Sequence, residues 1–285
     1  MGQRNDFMLY PGGKKKAMTF SYDDGVVQDR RLVELFNQYG VKGTFNLNAG
    51  ILGFQGSAVV SGRETDISKV TEEEVGTLYQ GHEVAGHSLW HSFLQNVGTP
   101  MAMYELVEDR RALERLSGAL VRFFAYPFGA YDGNVKELLR LAGYIGARTV
   151  ESTHSFSIPE DMLEWHPTCH HNDPELMPLA EKFCEGPAFG PALFYLWGHA
   201  YEFDADGNWD VMEKLLRYVS GFSQDVWFAG NTELAAYILA FRQRIYSADG
   251  SKIYNPTCTD LWIQVGKSSC RIPAGGTAVV ENPEI

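Results

Sequence analysis

The sequence predicts an α/β protein built on a closed or nearly closed barrel of parallel strands, with a small β-rich appendage at the carboxy terminus. Three observations point there. Short β-rich segments alternate with longer segments of helical period along most of the 285 residues, the mark of parallel strands joined by helical crossovers. About seven strand–helix units can be counted, too many helices for a β-sandwich and suited to a barrel. From about Ile245 the helical period stops and turn-rich short strands take over, which divides the chain into 1–244 and a carboxy-terminal extension, 245–285, expected to pack on the barrel.

The first strand is "AMTFSY". The helix "VQDRRLVELFNQYG" follows, with Leu32, Leu35, Phe36 and Tyr39 at helical spacing and a stop at Gly40. "VKGTFNLN" is the second strand. After a glycine-rich loop, "TEEEVGTLYQG" opens with Thr71 and Glu74 in capping-box spacing. "HEVAGH" is the third strand, and Thr99 and Pro100 mark the start of the long helix that leads to the fourth, "VRFFAYPFG". "NVKELLRLAG" and "YIGARTV" complete the fifth unit. An irregular stretch runs to about Gly190, then "ALFYLWGH", the helix "NWDVMEKLLRYVSG", "VWFAG" and the helix "TELAAYILAFRQ" supply strands six and seven.

Composition narrows the function classes. A formal charge of -12 lacks the basic footprint that a phosphate-backbone partner requires, so no nucleic-acid partner is expected. The longest apolar runs are too short and interrupted to cross a bilayer, so no membrane partner is expected either. Cys169, Cys184, Cys258 and Cys270 show no C-x-x-C spacing and read as free thiols; a Cys258–Cys270 pair stays conceivable for an exported protein. The beginning of the sequence has no apolar signal core, which gives a cytoplasmic expectation, with secretion the alternative if a leader was removed.

In parallel α/β folds reactive residues sit where the strands end. Here the strands end in Asp23 and Asp24, in Asn46 and Asn48, in His87, in Tyr126 and Pro127, in Arg148, in His199 and in Asn231. "SYDDG" puts two carboxylates side by side before a glycine, a repulsive arrangement unless something offsets it. "HSLWH" spaces His87 and His91 four apart, so that one helical turn would present both imidazoles to a single ion. With a carboxylate from a neighbouring strand, two histidines make a ligand set suited to zinc or another divalent first-row metal. The other histidines read as structural: His82 opens a strand, and His154, His166, His170 and His171 lie in the irregular stretch, where "WHPTCHH" could line a cleft.

In this order, "SYDDG", "HSLWH", "AYPFG" and "YLWGH" resemble the motif blocks of the polysaccharide deacetylase family, the NodB homology or carbohydrate esterase family 4 fold, over about residues 16 to 243. The family's blocks are T-F-D-D-G, H-[ST]-x-x-H, R-x-P-Y-G, a block with aspartate and tryptophan, and L-x-H. "ARTV" and "NTELAAYI" look like a less typical branch, that of deacetylase-like domains associated with gellan lyase. The resemblance implies a distorted (β/α)7 barrel and one divalent ion, zinc first, with cobalt, nickel or manganese as alternatives. It makes Asp24, His87 and His91 the metal ligands, Asp23 the general base, His199 the catalytic acid, and the Phe128 N–H an oxyanion donor. Tyr126, Pro127, Tyr131 and Trp197 flank the motif residues as candidate substrate contacts.

Departures accompany these matches. The third-block arginine that orients the base falls on Ala125, and Arg148 is the candidate to supply a guanidinium from the next strand. No fourth block is found, and "LWGH" is one residue longer than L-x-H. Glu202, just past His199, is a candidate to tune that imidazole. The implied activity is hydrolytic removal of acetyl from an N-acetylated sugar or glycan. Cleavage of another amide, an O-acetyl ester, or glycan binding with weak catalysis are the alternatives, and acetylated carbohydrate or a small amide is the expected partner.

Overall fold

A computed structural model describes residues 6–266 and 268–280. Seven parallel strands run in spatial order Gly146–Arg148, Phe123–Ala125, Glu83–Gly86, Gly43–Leu47, Lys16–Asp23, Ala192–His199 and Cys169–His170. The first in sequence, Lys16–Asp23, lies at the centre and is buried from Ala17 onward, as expected of a parallel strand covered on both faces. The two edges of this curled sheet are joined by one segment. Trp165 exchanges backbone hydrogen bonds with Ala147 and Thr149 at 3.0 Å each, while Thr168 and His171 donate to Tyr195 and Trp197 at 2.8 and 2.9 Å.

One expected strand is therefore misplaced. Val226–Phe228, read as the seventh barrel strand, pairs with Lys16–Met18, the first part of the central strand, and Gly43–Leu47 takes over that side from Phe20. Its place in the ring is taken by Cys169–His170, two residues inside the stretch read as irregular. Asn231 accordingly lies off the rim. It is fully buried, donating from its backbone to Thr44 and bonding through its side chain to Thr19 and Ser21.

The helices follow the sequence pattern. Asp29–Tyr39 buries Leu32, Val33, Leu35 and Phe36 and ends at Gly40, whose φ of 65° is the left-handed cap that glycine adopts without strain. Glu72–Leu78 carries the capping box, Thr71 N–H donating to Glu74 Oε2 at 2.9 Å. Thr99–Ser117 starts with Thr99 inside the helix and Gly98 as its cap.

The chain beyond Arg242, joined by one amino-terminal strand, forms two small antiparallel sheets. One combines Asp6–Leu9, Leu261–Val265 and Ser268–Ile272; the other combines Ile245–Tyr246, Lys252–Tyr254 and Thr277–Val279. Tyr237 of the last helix links the first of them to the barrel, donating to the Leu9 carbonyl at 2.6 Å and accepting from Trp262 N–H at 3.0 Å. Trp262 also lies against Gly13, just before the central strand begins, so this addition packs at the strands' amino ends, away from the rim. All four cysteines are unpaired, and among the described residues no helix is long and apolar enough to cross a membrane.

Candidate active site

The central strand ends by separating its two carboxylates. Asp23 closes the strand and points inward, where Asn46 Nδ2 donates to Oδ1 at 2.8 Å and Arg148 donates to Oδ2. At Asp24 the backbone turns into the left-handed region, φ 82°, with its N–H donating to the Asn46 carbonyl at 2.9 Å. Gly25 continues the turn at φ 60°, where a Cβ would stand 2.8 Å from Leu47 Cδ2, so the backbone and the packing both favour glycine. The second carboxylate is thereby turned toward His87 and His91. Burial pushes Asp23 up, but Arg148, His87 and His199 outweigh it and leave the carboxyl below its ordinary value. Asp24 also lies below it, burial being offset first by Lys69 and then by the imidazoles.

His87 and His91 meet without a helical turn. Residues 87–91 form an irregular loop bent by Ser88 and His91, at φ 60° and 58°. The bend brings the two rings to 4.8 Å and both Nε2 atoms to Asp24 Oδ1, at 3.9 Å for His87 and 3.7 Å for His91. Buried carboxyl groups on the Thr99–Ser117 helix hold this loop: Asp109 accepts from the backbone of His87 at 3.1 Å and of Ala49 at 2.8 Å, and Glu105 accepts from Trp90 N–H at 3.3 Å. His87 Nδ1 lies 2.7 Å from the Ala125 carbonyl, which can only accept, so the proton sits on Nδ1 and Nε2 keeps its lone pair. Burial lowers the His87 pKa to about 4, keeping the ring neutral. The donor atoms of Asp24, His87 and His91 lie within 4.8 Å of one another, a set that fits one divalent ion.

A second group faces them across Asp23. His199 Nε2 is 4.0 Å from Asp23 Oδ2, and its Nδ1 is 3.3 Å from Glu202 Oε1. Glu202 also receives the His199 backbone N–H at 3.0 Å, and His170 and His171 approach its Oε2 at 3.1 and 3.3 Å. Burial lowers the His199 pKa, but the Glu202 carboxylate beside Nδ1 and the charges of Asp24 and Asp23 raise it overall to about 9. Arg148 is fully buried, its guanidinium 4.4 Å from the Trp197 ring.

Six of the residues singled out by sequence thus converge: Asp23, Asp24, His87, His91, Arg148 and His199. Phe128 also reaches the rim. It has φ 59°, is half exposed, and stacks on Phe93 at 3.9 Å with its ring 4.4 Å from that of His91. The expectation for Tyr126 and Pro127 requires correction. Both are buried, and the Tyr126 hydroxyl donates to the Leu163 carbonyl at 2.7 Å, so these side chains pack the wall and offer no surface to a ligand. Tyr131, partly exposed, stacks on Tyr126 at 4.8 Å, and Trp197 is partly buried under Arg148. Sequence reading missed Lys69, Glu105 and Asp109, which carry no motif, and gave His170 and His171 a structural role where they gather on Glu202.

Residues 11–147 match the family model described as Polysaccharide deacetylase. No curated protein matches the chain. Among solved structures, a Mycobacterium smegmatis protein described as a polysaccharide deacetylase is 17% identical, with 83% of this chain and 94% of that one covered at a TM-score of 0.60. The Xyl-CE4 domain of a multidomain xylanase from the hindgut metagenome of Trinervitermes trinervoides is 18% identical, with 79% and 92% covered at 0.51. A mutant of a CE4 family pseudoenzyme with restored enzymatic activity is 17% identical, with 80% and 70% covered at 0.50. The resemblance read from the motif blocks is borne out, as is the distorted (β/α)7 barrel of the NodB type.

Proposed function

We propose, with the polysaccharide deacetylase match of residues 11–147 as premise, that this chain is a metal-dependent hydrolase that removes acetyl from an N-acetylated sugar or glycan. The observation that carries the reading is the division of labour between adjacent carboxylates. Asp24 faces two imidazoles with free lone pairs, while Asp23 is held apart by Asn46 and Arg148. A divalent ion held by Asp24, His87 and His91 would polarise the acetyl carbonyl and acidify an attacking water.

The chain's own groups handle the protons. Asp23, ionised and fixed by two donors, accepts the proton of the attacking water. His199 carries its proton at neutral pH because Glu202 and the two aspartates favour the cation, and it delivers that proton to the departing nitrogen. Arg148 reaches the base from the fifth strand rather than from the third motif block, so the missing arginine at Ala125 does not leave Asp23 unsupported. That contact favours an active enzyme over a pseudoenzyme on the same scaffold. Phe128 N–H is assigned to the oxyanion.

The test is metal content by elemental analysis, run beside acetate release from N-acetylated chito-oligosaccharides. The expected result is about one divalent ion per chain, lost in Asp24→Ala and His87→Ala, with acetate formed only when metal is present. Retention of metal in both variants would overturn the ligand assignment. A loaded protein that releases no acetate from any acetylated sugar, but does cleave another amide or an ester, would overturn the substrate assignment.

A further inference from the structure

Lys69 is a buried lysine aimed at the candidate metal site. It follows the hairpin of Ser57–Val60 and Arg63–Asp66, and its backbone is pinned on both sides. Lys69 N–H donates to the Phe54 carbonyl at 2.8 Å, Val70 N–H to Gly25 at 2.9 Å, and Val27 N–H to Ser68 at 2.9 Å. These bonds fix the segment against the turn that carries Asp24. The side chain is 8% exposed and its Nζ lies 3.6 Å from Asp24 Oδ1. Lysine is rarely buried without a partner, and Asp24 is the partner found. The same oxygen is the one that both imidazoles approach, so the ammonium and a divalent ion would converge on a single carboxylate atom.

We propose that Lys69 is a positioning residue of this site: it is the counter-ion of Asp24 in the metal-free protein and competes with the divalent ion for that carboxylate. The inference rests on the reading of Asp24, His87 and His91 as metal ligands. His87 and His91 are neutral as ligands and cannot balance the Asp24 charge, and Arg148 is committed to Asp23. Without Lys69 the metal-free carboxylate would lose its nearest full cation, since the His199 imidazolium is held by Glu202 and Asp23, and a buried carboxylate left that way is costly. With an ion present, the ammonium is a like charge a few ångströms away, which weakens metal binding while adding positive potential at the reaction centre.

The decisive measurement is zinc affinity by competition with a chelator at fixed pH, on wild type, Lys69→Met, Lys69→Arg and Asp24→Ala, together with thermal unfolding of the metal-free forms. Lys69→Met is expected to bind zinc roughly 10–100-fold more tightly and to unfold at lower temperature when metal-free. Adding Asp24→Asn to Lys69→Met should recover part of that loss, and Lys69→Arg should stay near wild type. A lysine that merely packs the loop would weaken zinc binding on removal, so a Lys69→Met protein that binds zinc equally or less tightly overturns the proposal. If Lys69→Met does not fold, Lys69→Gln decides by the same criterion. Zinc binding that survives Asp24→Ala unchanged would overturn instead the metal-site reading beneath it.

Discussion

The two poles of the site use the same materials to opposite ends. On one side stand Asp24, His87 and His91; on the other, Glu202, His170 and His199, a carboxylate and two imidazoles whose donor atoms also lie within 4.8 Å of one another. What separates them is where the second ring nitrogen goes. His87 gives its Nδ1 proton to the Ala125 carbonyl, which leaves a lone pair aimed at Asp24. His170 Nδ1 instead accepts the Asn172 N–H at 3.1 Å, so its proton sits on Nε2, which lies 3.1 Å from Glu202 Oε2. One pole presents lone pairs and suits a cation; the other is filled with protons. The pKa directions agree, His87 being lowered to about 4 and His199 raised to about 9.

The strongest way to break this comparison is to remove one imidazole from each pole. His87→Ala should lose the bound ion and with it more than about 10³-fold in kcat, and elemental analysis should find the metal gone. His199→Ala should lose roughly 10²–10⁴-fold in kcat, the range for a general acid, yet keep its metal. Loss of metal from both variants would mean that the poles are one site.

Unequal legibility accompanies this division. The cation pole could be read from "SYDDG" and "HSLWH" because its three residues sit within two short blocks of local sequence. The reading of a helical turn at His87–His91 failed because Ser88 and His91 adopt positive φ, a choice enforced by Asp109, Glu105 and Asn48 from other elements. The proton pole was half legible. His199 ends a long strand, but His170 stands on a two-residue strand with no period to reveal it. Its meeting with Glu202 depends on the segment 165–171 returning between the fifth and last strands. Lys69 left no signal, since a lysine after a hairpin is ordinarily solvated surface. Tyr126 misled for the converse reason: a strand-end aromatic looks available until the Leu163 carbonyl is seen to hold it.

A smaller effect sharpens the contrast by changing Glu202 alone. Glu202→Gln keeps a polar partner for His199 but removes the charge that sustains the imidazolium. In wild type the acid form of His199 persists until the pH climbs through about 9, so the alkaline limb of kcat should lie there. In Glu202→Gln the limb should fall toward the ordinary imidazole value near ~6.5, with kcat at pH 7 reduced up to about 4-fold and zinc affinity unchanged. A limb that stays in place would locate the alkaline titration elsewhere in the site.

The smallest effect expected is at Asp109, which bears on the cation pole without touching the ion. Its two oxygens accept the backbone N–H groups of Ala49 and His87 and so tie the exits of the second and third strands together. Asparagine offers one acceptor oxygen and places an NH₂ where the other stood. One buried N–H therefore loses its partner, at about 1–3 kcal/mol of stability, and the looser His87 backbone should weaken zinc binding by no more than about 10-fold. Burial also pushes the Asp109 carboxyl up to about 8, against the pull of those two N–H groups. A folded-state value above the unfolded one means that the native protein holds the extra proton, so this group's contribution to stability falls as pH rises from about 4 through about 8. Asp109→Asn removes that slope, and unfolding curves at pH 5 and 8 should differ less in the variant than in wild type. An unchanged difference would assign the slope to Asp29, the other buried carboxyl raised to about 8, and leave Asp109 as a hydrogen-bond acceptor alone.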